Sequence, residues 1–237
     1  MPRLSALPRF QELVQDQWGL VTRRQMNARG ISPTTLERLA APGGVLERVA
    51  TGVYRVAAAP APDHLELRAA WLQLAPATPA WDRTAEQGVV SHRSAASIYG
   101  LGHLPADLHD FTLHRRRQSR RPDVRIHVRK LDRGEWVNLG GLLVTRPSRI
   151  ASDLLWDHED PEAVAQLISD SIRLVLDYPG TFSDELGPHA AKFGLRKFDG
   201  LGLLRWLLDL TNDPEAAQWL SEARAHDDRA RKSRTES

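Results

Sequence analysis

The sequence predicts an α+β protein with a small N-terminal domain, residues 1–57, and a larger mixed α/β domain, residues 63–220. Three observations predict this division. Helix signals and then a hairpin signal occupy the first 57 residues. An alanine- and proline-rich stretch, Ala57–Asp63, follows them. Beyond it, short β-rich runs alternate with helical runs, and we expect the charged tail, residues 221–237, to be flexible.

The first two helices of the small domain are predicted from apolar spacing and end signals. Gly19 would end the first helix, whose apolar face is formed by Phe10, Leu13, Val14 and Trp18. Thr22 and Gln25 have the spacing of a capping box at the start of a second helix, which Gly30 would stop. This second helix is therefore short.

A third helix and a hairpin complete the domain. Ser32-Pro33 supplies an N-cap and a proline at the first helical position, and Leu36 and Leu39 give the helix a buried side. The β-rich runs Val45–Val49 and Val53–Val56 are separated by a glycine-containing turn. Two short helices joined by a tight turn and followed by a hairpin predict a winged helix-turn-helix.

The larger domain is predicted as a mixture of strands and helices. The expected strands are Val89-Val90, Phe111–His114, Val124–Val128 and Leu142–Thr145, and the expected helices are Leu65–Leu74, His92–Tyr99, Pro147–Leu155, Pro161–Val175 and Phe193–Leu210. A degenerate nuclease-like core is one possibility for this arrangement.

Charge is distributed unevenly along the chain, although its net charge is only +2. Residues 1–57 contain eight arginines and four acidic residues, and residues 110–135 contain nine basic and four acidic residues. Residues 136–220 are acidic, with thirteen acidic and seven basic residues. Two basic blocks beside an acidic one predict that one region binds a polyanion and that another binds something else.

In a winged domain, three elements would face DNA. On the third helix, Thr34, Thr35 and Arg38 lie opposite the buried leucines, where arginine can pair with guanine and threonine can touch a thymine methyl group. We expect Arg23 and Arg24 to contact phosphates. The remaining predicted contacts are a helix N-terminus at Ser32 and the wing residues Arg48, Thr51 and Arg55. The alternative is a winged domain that binds only protein and leaves its arginines solvated.

A second basic cluster lies between two predicted strands. It is formed by Arg115, Arg116, Arg117, Arg120 and Arg121. These side chains would bind DNA, RNA or an acidic protein surface, or they would form a solvated loop; the sequence alone does not distinguish these alternatives.

Several runs of the sequence occur together in a recognisable pattern. Those in the first quarter of the chain are Gln17–Gln25, Gly30–Ser32, Leu46–Val49 and Gly52–Val56, and those in the middle are Val90–Ala96 and Val144–Arg149. In combination they resemble the AbiEi-type antitoxins of type IV bacterial toxin–antitoxin systems. The resemblance implies that the winged domain represses its own operon by binding double-stranded promoter DNA. It also implies that the C-terminal domain neutralises a nucleotidyltransferase-like toxin.

The sequence predicts no catalytic site, metal site or cofactor. Asp123 and Lys130 lie where a PD-(D/E)xK nuclease would have them, but Val128 replaces the second carboxylate that such an enzyme needs to hold a metal. There is no cysteine, and no apolar run is long enough to span a bilayer. We therefore expect a cytoplasmic protein that does not bind membranes. The alternative function is a stand-alone winged-helix regulator whose second domain senses a ligand or oligomerises.

Overall fold

The computed structural model describes residues 11–119 and 121–235 as an α+β fold. The helices are α1 (Gln11–Asp16), α2 (Arg23–Ala28), α3 (Pro33–Leu39), α4 (Leu65–Leu74), α5 (His92–Tyr99), α6 (Pro147–Trp156), α7 (Pro161–Arg173), α8 (Pro179–Leu186), α9 (Gly200–Thr211) and α10 (Ala216–Thr235). The strands are β1 (Leu20–Thr22), β2 (Leu46–Ala50), β3 (Val53–Val56), β4 (Val89–Val90), β5 (His109–Leu113), β6 (Val124–Val128), β7 (Trp136–Leu139) and β8 (Leu142–Thr145). Phe10 and Arg120, both used in the predictions above, lie outside the described residues.

The first elements form a winged helix-turn-helix, as predicted. Strand β3 lies between β1 and β2, and both pairings are antiparallel. Helices α1 to α3 close over this sheet, and the core between them is lined by Leu13, Val21, Met26, Ile31, Leu36, Leu39, Leu46 and Tyr54. Strand β1 was not predicted, because three residues are too few to show a β-period.

The predicted helix caps are present in this domain. The Thr22 hydroxyl accepts a hydrogen bond from the Gln25 amide, and the Gln25 side chain accepts one from the Thr22 amide, as a capping box requires. At α3, the Ser32 side chain accepts from the Thr35 amide, and Pro33 occupies the first position of the helix. These caps fix where α2 and α3 begin, and therefore which side chains they expose.

Trp18 differs from its predicted place on the first helix. Helix α1 ends at Asp16, and Trp18 has a left-handed backbone with φ of +57°. Its ring packs against Trp71 at 5.9 Å, and its Nε1 donates to the Gly140 carbonyl at 2.7 Å. Trp18 therefore joins the small domain to later parts of the chain.

The remaining strands form a second sheet in the order β6-β5-β4-β8-β7. Strands β4 and β5 are antiparallel, with Val90 opposite Phe111. Helices α4 and α5 and strands β4, β6 and β8 have the predicted limits. The predicted helical region Phe193–Leu210 is instead a 3-10 helix, Gly187–Phe193, followed after a break by α9.

The described chain divides into two compact units. The first contains the winged domain, the residues that follow it as far as Val90, and the segments Phe111–Leu131 and Asn138–Leu143. The second contains Ser91–Asp110, Asp132–Val137 and the chain from Val144 onward, where α6 to α9 bury apolar faces such as Leu167 and Leu207. The units are thus not contiguous in sequence, whereas the predicted domains are.

Residues 221–235 are helical in the structure, although the sequence predicts a flexible tail from residue 221 onward. Helix α10 runs from Ala216 to Thr235. Trp219 and Ala223 are buried on one side of it, and the helix packs against α8 and α9. Few apolar residues at helical spacing are enough to hold a charged helix when a neighbouring apolar face is available. None of the helices among residues 11–119 and 121–235 is both long and apolar enough to cross a membrane.

Two buried glutamine side chains organise the first unit. Gln17 and Gln25 are each at most 1% exposed, and their amides pair reciprocally at 3.0 Å. Gln17 Nε2 also donates to the Leu20 carbonyl at 2.9 Å, and Gln25 Oε1 also accepts from the Thr22 amide. The pair therefore links the turn after α1 to β1 and α2 through side chains that are buried from water.

Residues 76–80 complete this network. The contacts are Ala80 N–H to Gln17 Oε1 at 3.0 Å, Gln25 Nε2 to the Thr78 carbonyl at 3.2 Å, and Thr22 Oγ1 to the Pro76 carbonyl. Every donor and acceptor position of the two glutamine amides is then used. The winged domain is consequently hydrogen-bonded to the segment that follows α4, and it is not attached by the chain alone.

The glutamine pair makes a testable prediction for stability. Gln17→Leu leaves the Ala80 N–H and half of the Gln25 amide without partners, and each unpaired buried group costs about 1–3 kcal/mol. We expect the free energy of unfolding, measured by urea denaturation, to fall by about 3 kcal/mol or more. The control is Gln15→Leu, an exposed position of α1 two residues before Gln17, which should change the free energy of unfolding by less than about 0.5 kcal/mol. Equal stability of the two variants would contradict the assigned role.

Candidate nucleic-acid interface

Helix α3 separates its apolar and polar residues onto opposite sides. Leu36 and Leu39 are buried, whereas Thr34 and Arg38 are exposed and lie four residues apart on the same face. Thr35 is half-buried, and its hydroxyl accepts from Ser32 at 2.9 Å, so both belong to the cap. Ser32, Thr34, Thr35 and Arg38 are the four residues predicted to contact DNA at this helix. Of these, Thr34 and Arg38 have the side chains that are most available to a ligand.

The start of α2 lies beside the turn of the hairpin. Arg23 and Arg24 are the first residues of α2, and both are exposed. The Arg23 amide donates to the Gly52 carbonyl at 2.8 Å. Gly52 has φ of +71°, a left-handed conformation that glycine adopts without steric cost, so the turn is tight and stays close to α2.

Two of the predicted contact residues of the hairpin are exposed, and the third already forms hydrogen bonds within the domain. Arg48 and Thr51 are exposed. Arg55 lies opposite Glu47 in the strand register, and its guanidinium donates to the Glu47 carboxylate at 2.7 Å and to the Ala59 carbonyl. A contact of Arg55 with DNA would have to compete with these hydrogen bonds, whereas Arg48 and Thr51 meet no such competition.

The exposed arginines of the winged domain form a positively charged surface. Arg23, Arg24, Arg38 and Arg48 form no ion pair with any residue that the structure describes. Their charges are therefore not neutralised within the domain. A surface of this kind attracts a polyanion, and the apolar core behind it keeps the elements in fixed positions.

The arginine-rich segment belongs to the first unit and connects β5 to β6. Arg115, Arg116 and Arg117 are exposed. Arg121 is half-buried, and its Nε donates to Asp123 Oδ1 at 2.9 Å. This hydrogen bond is the main cause that raises the pKa of Arg121 above its ordinary value. Asp123, the carboxylate of the nuclease-like pattern, is therefore held by an arginine.

The second unit contains a buried ionic network that the sequence analysis did not predict. Arg149 donates from Nε to Asp153 at 2.9 Å and from Nη1 to Glu135. The Ser148 amide donates to Asp177 at 3.0 Å. Ser148 and Arg149 belong to the run Val144–Arg149 that resembles the antitoxin family, but their sequence spacing gives no sign of the distant carboxylates.

His92 lies at the start of α5, as predicted, and it is also close to this network. It is 3% exposed, and its Nδ1 lies 2.9 Å from the Ser91 hydroxyl and 4.0 Å from Asp153. Helix α5 begins at His92, but Ser91 makes no side-chain cap hydrogen bond. Instead, the Ser91 hydroxyl contacts the imidazole.

Glu185 of α8 is a carboxylate whose pKa is strongly affected by its surroundings. Burial raises its pKa from the ordinary value of 4.5 to about 7, and the charge of Glu135 acts in the same direction. Arg149 opposes this effect but does not cancel it. Between about pH 4.5 and 7, the folded protein therefore keeps a proton on Glu185 that the unfolded chain has already released.

This pKa predicts how stability depends on pH. Between about pH 4.5 and 7 the native state binds one proton more than the unfolded state at this residue, so the free energy of unfolding falls as pH rises through that window. Glu185→Gln removes this dependence. Relative to the wild type, we expect the variant to gain stability from pH 5 to pH 7 and to keep a constant advantage above pH 7.

Denaturation at a series of pH values measures this difference. Glu222→Gln, an exposed carboxylate of α10, is the control and should follow the wild type. A constant difference between Glu185→Gln and the wild type across the whole pH range would contradict the raised pKa.

The sequence of the winged domain matches a known protein family. Residues 9–57 match a family model described as a transcriptional regulator, AbiEi antitoxin. The matched range contains α1 to α3, the sheet of the winged domain and the exposed arginines of that domain. The chain matches no curated protein. Over residues 9–57, the chain is therefore similar to the AbiEi antitoxin family of transcriptional regulators.

Proposed function

We propose that this chain is the antitoxin of a bacterial toxin–antitoxin pair and represses its own operon by binding promoter DNA. The observation that carries the proposal is the surface of exposed arginines on α2, α3 and the hairpin, which have no ion-pair partner among the described residues and lie in a winged domain that matches the AbiEi regulators. Such a protein acts in the cytoplasm, where the DNA is.

Each exposed element has a role in this proposal. Helix α3 enters the major groove, where Arg38 pairs with a base edge and Thr34 makes an apolar or hydroxyl contact. Arg23 and Arg24 bind phosphates beside it, and Arg48 and Thr51 reach the flanking backbone from the hairpin. Phosphate contacts would set the position of the domain, and Arg38 would contribute sequence preference.

We also propose that the chain neutralises a nucleotidyltransferase-type toxin and has no enzymatic activity of its own. The antitoxin description of the matched family supports a toxin partner, and the resemblance noted in the sequence points to its type. The acidic character of residues 136–220 supports a partner other than DNA for the second unit. The position of Val128 and the pairing of Asp123 with Arg121 argue against a metal-dependent nuclease.

The alternative, a stand-alone regulator that senses a ligand, is favoured by one observation. The second unit contains a cleft of about 520 Å³ whose polar lining includes Asp184, Arg196, Lys197, Asp199 and Asp227. This volume suits a small polar molecule. The neighbouring gene distinguishes the two functions: a nucleotidyltransferase gene supports the antitoxin, and its absence supports the regulator.

Salt dependence tests the DNA contacts as a group. We expect the affinity for a duplex from its own upstream region to fall steeply with salt, because each phosphate contact contributes about 0.9 to the slope of log K against log salt concentration. Arg23, Arg24 and Arg48 predict a slope of at least about −3. A mobility-shift titration between 50 and 200 mM salt measures it. An affinity that does not change with salt concentration would contradict the proposal.

Arg38→Ala tests sequence reading. The side chain is exposed, so its removal should leave the fold intact while weakening binding to the promoter by about 1–3 kcal/mol. Binding to a random duplex should change less. Arg224→Ala, an exposed arginine of α10, removes the same charge and serves as the control.

The same variants separate repression from neutralisation. Growth of cells that express the toxin should still be rescued by Arg38→Ala, because that residue belongs to the winged domain. Loss of rescue at normal protein levels, with promoter binding retained, would overturn the assignment of the two roles.

A further inference from the structure

The arginine-rich segment is anchored to the end of α4. Arg121 Nη1 donates to Gln73 Oε1 at 2.8 Å, and Arg117 donates to the carbonyl of Leu74. Both anchors belong to the last turn of α4. The exposed Arg115 and Arg116 directly precede Arg117, the first of the two anchored residues.

The same turn of α4 holds the hairpin of the winged domain. Gln73 Nε2 donates to the Thr51 carbonyl at 2.8 Å, while its Oε1 accepts from Arg121. One side-chain amide therefore lies between the backbone of the wing turn and the guanidinium of Arg121. Arg121, which is 70 residues after Thr51 in the chain, is therefore linked to the wing turn through a single side chain.

A cleft of about 300 Å³ lies in this region of the first unit. It is lined by Arg23, Arg24, Thr51, Gly52, Gln73 and Pro76. Its residues come from the start of α2, from the wing turn and from the end of α4. Basic side chains thus continue from α2, past the wing turn and Gln73, to the arginine-rich segment.

The charge of the segment is not balanced locally. Arg115 and Arg116 form no ion pair with the described residues. Nearby, Arg83 is buried against Trp71, and its pKa is lowered to about 10, mainly by burial and secondly by the charge of Arg117. Gathering like charges at one place destabilises a fold unless a polyanion binds there.

We propose that the described part of the arginine-rich segment, residues 115–119 and 121, forms a second DNA-binding element, which contacts phosphates of the duplex bound by the winged domain, beyond the wing. This inference rests on the proposed function of that domain. The phosphate backbone is the favoured ligand because the segment is contiguous with the wing and carries cations. It lacks the aromatic residues that anchor protein interfaces and that stack single-stranded bases. Such contacts add affinity without sequence preference.

The experiment uses the full chain with the double variant Arg115→Gln/Arg116→Gln. We expect the slope of log K against log salt concentration to become shallower by about 1–2, and affinity at 150 mM salt to fall about tenfold. The promoter duplex and a random duplex of the same length should weaken by the same factor. Arg115→Lys/Arg116→Lys, which keeps both charges, should restore most of the slope.

The position of the contact is tested with shorter duplexes. Promoter fragments are trimmed from each end in turn, by about half a helical turn at a time. On one side, trimming should lower the affinity of the wild type to that of the double variant, while the variant itself is unaffected. The control variant, Arg224→Gln/Arg229→Gln, removes two exposed arginines of α10 and should bind as the wild type does.

The outcomes separate this inference from the function on which it rests. Loss of binding in Arg38→Ala, with wild-type affinity and salt slope in Arg115→Gln/Arg116→Gln, overturns the second element and leaves the promoter-binding function intact. Failure of the wild type to bind any duplex overturns both. Unchanged DNA binding together with lost toxin rescue in the double variant would assign the segment to a protein partner and overturn the inference.

Discussion

The reciprocal hydrogen bonds between Gln17 and Gln25 are the interaction on which the first unit depends. Both amides are buried, and burial of an amide is unfavourable unless all of its donors and acceptors are paired. Here the hydrogen-bonded groups come from the turn after α1, from β1, from α2 and from the segment 76–80. The helix-turn-helix is therefore held in one orientation against the residues after α4. Apolar packing alone is less directional and would not specify this orientation so closely.

The attachment of the segment after α4 to the winged domain also places basic residues beside the wing. Because α4 is held against the winged domain, Gln73 can bond the wing turn on one side and Arg121 on the other. The hairpin itself is short, with a single tight turn at Gly52, so it offers few contacts of its own. An arginine-rich segment from a distant part of the sequence extends the basic surface where the wing ends. The buried glutamine amides therefore help to position the exposed arginines, because both are connected through α4.

The second unit uses charge in a different way. Arg149 lies between Glu135 and Asp153 and is largely buried, and Asp177 accepts from the backbone of the same helix. Glu185 adds a carboxylate whose pKa burial raises to about 7. Buried networks of this kind contribute more to specifying one arrangement of helices than to net stability. This unit is therefore organised around internal ion pairs, whereas the winged domain leaves its arginines open to solvent.

The sequence by itself determined the winged helix-turn-helix, the caps at Thr22 and Ser32, and the exposed face of α3, because capping and apolar spacing are local signals. It also determined most helix and strand limits before residue 175. Only the tertiary structure decided the burial of Gln17, the pairing of Arg55 with Glu47 and the place of Arg121 beside the wing. It also decided that residues 216–235 are helical, since a charged segment shows its few packing residues only when a partner is present. These features depend on contacts between residues far apart in the chain, and no local pattern records them.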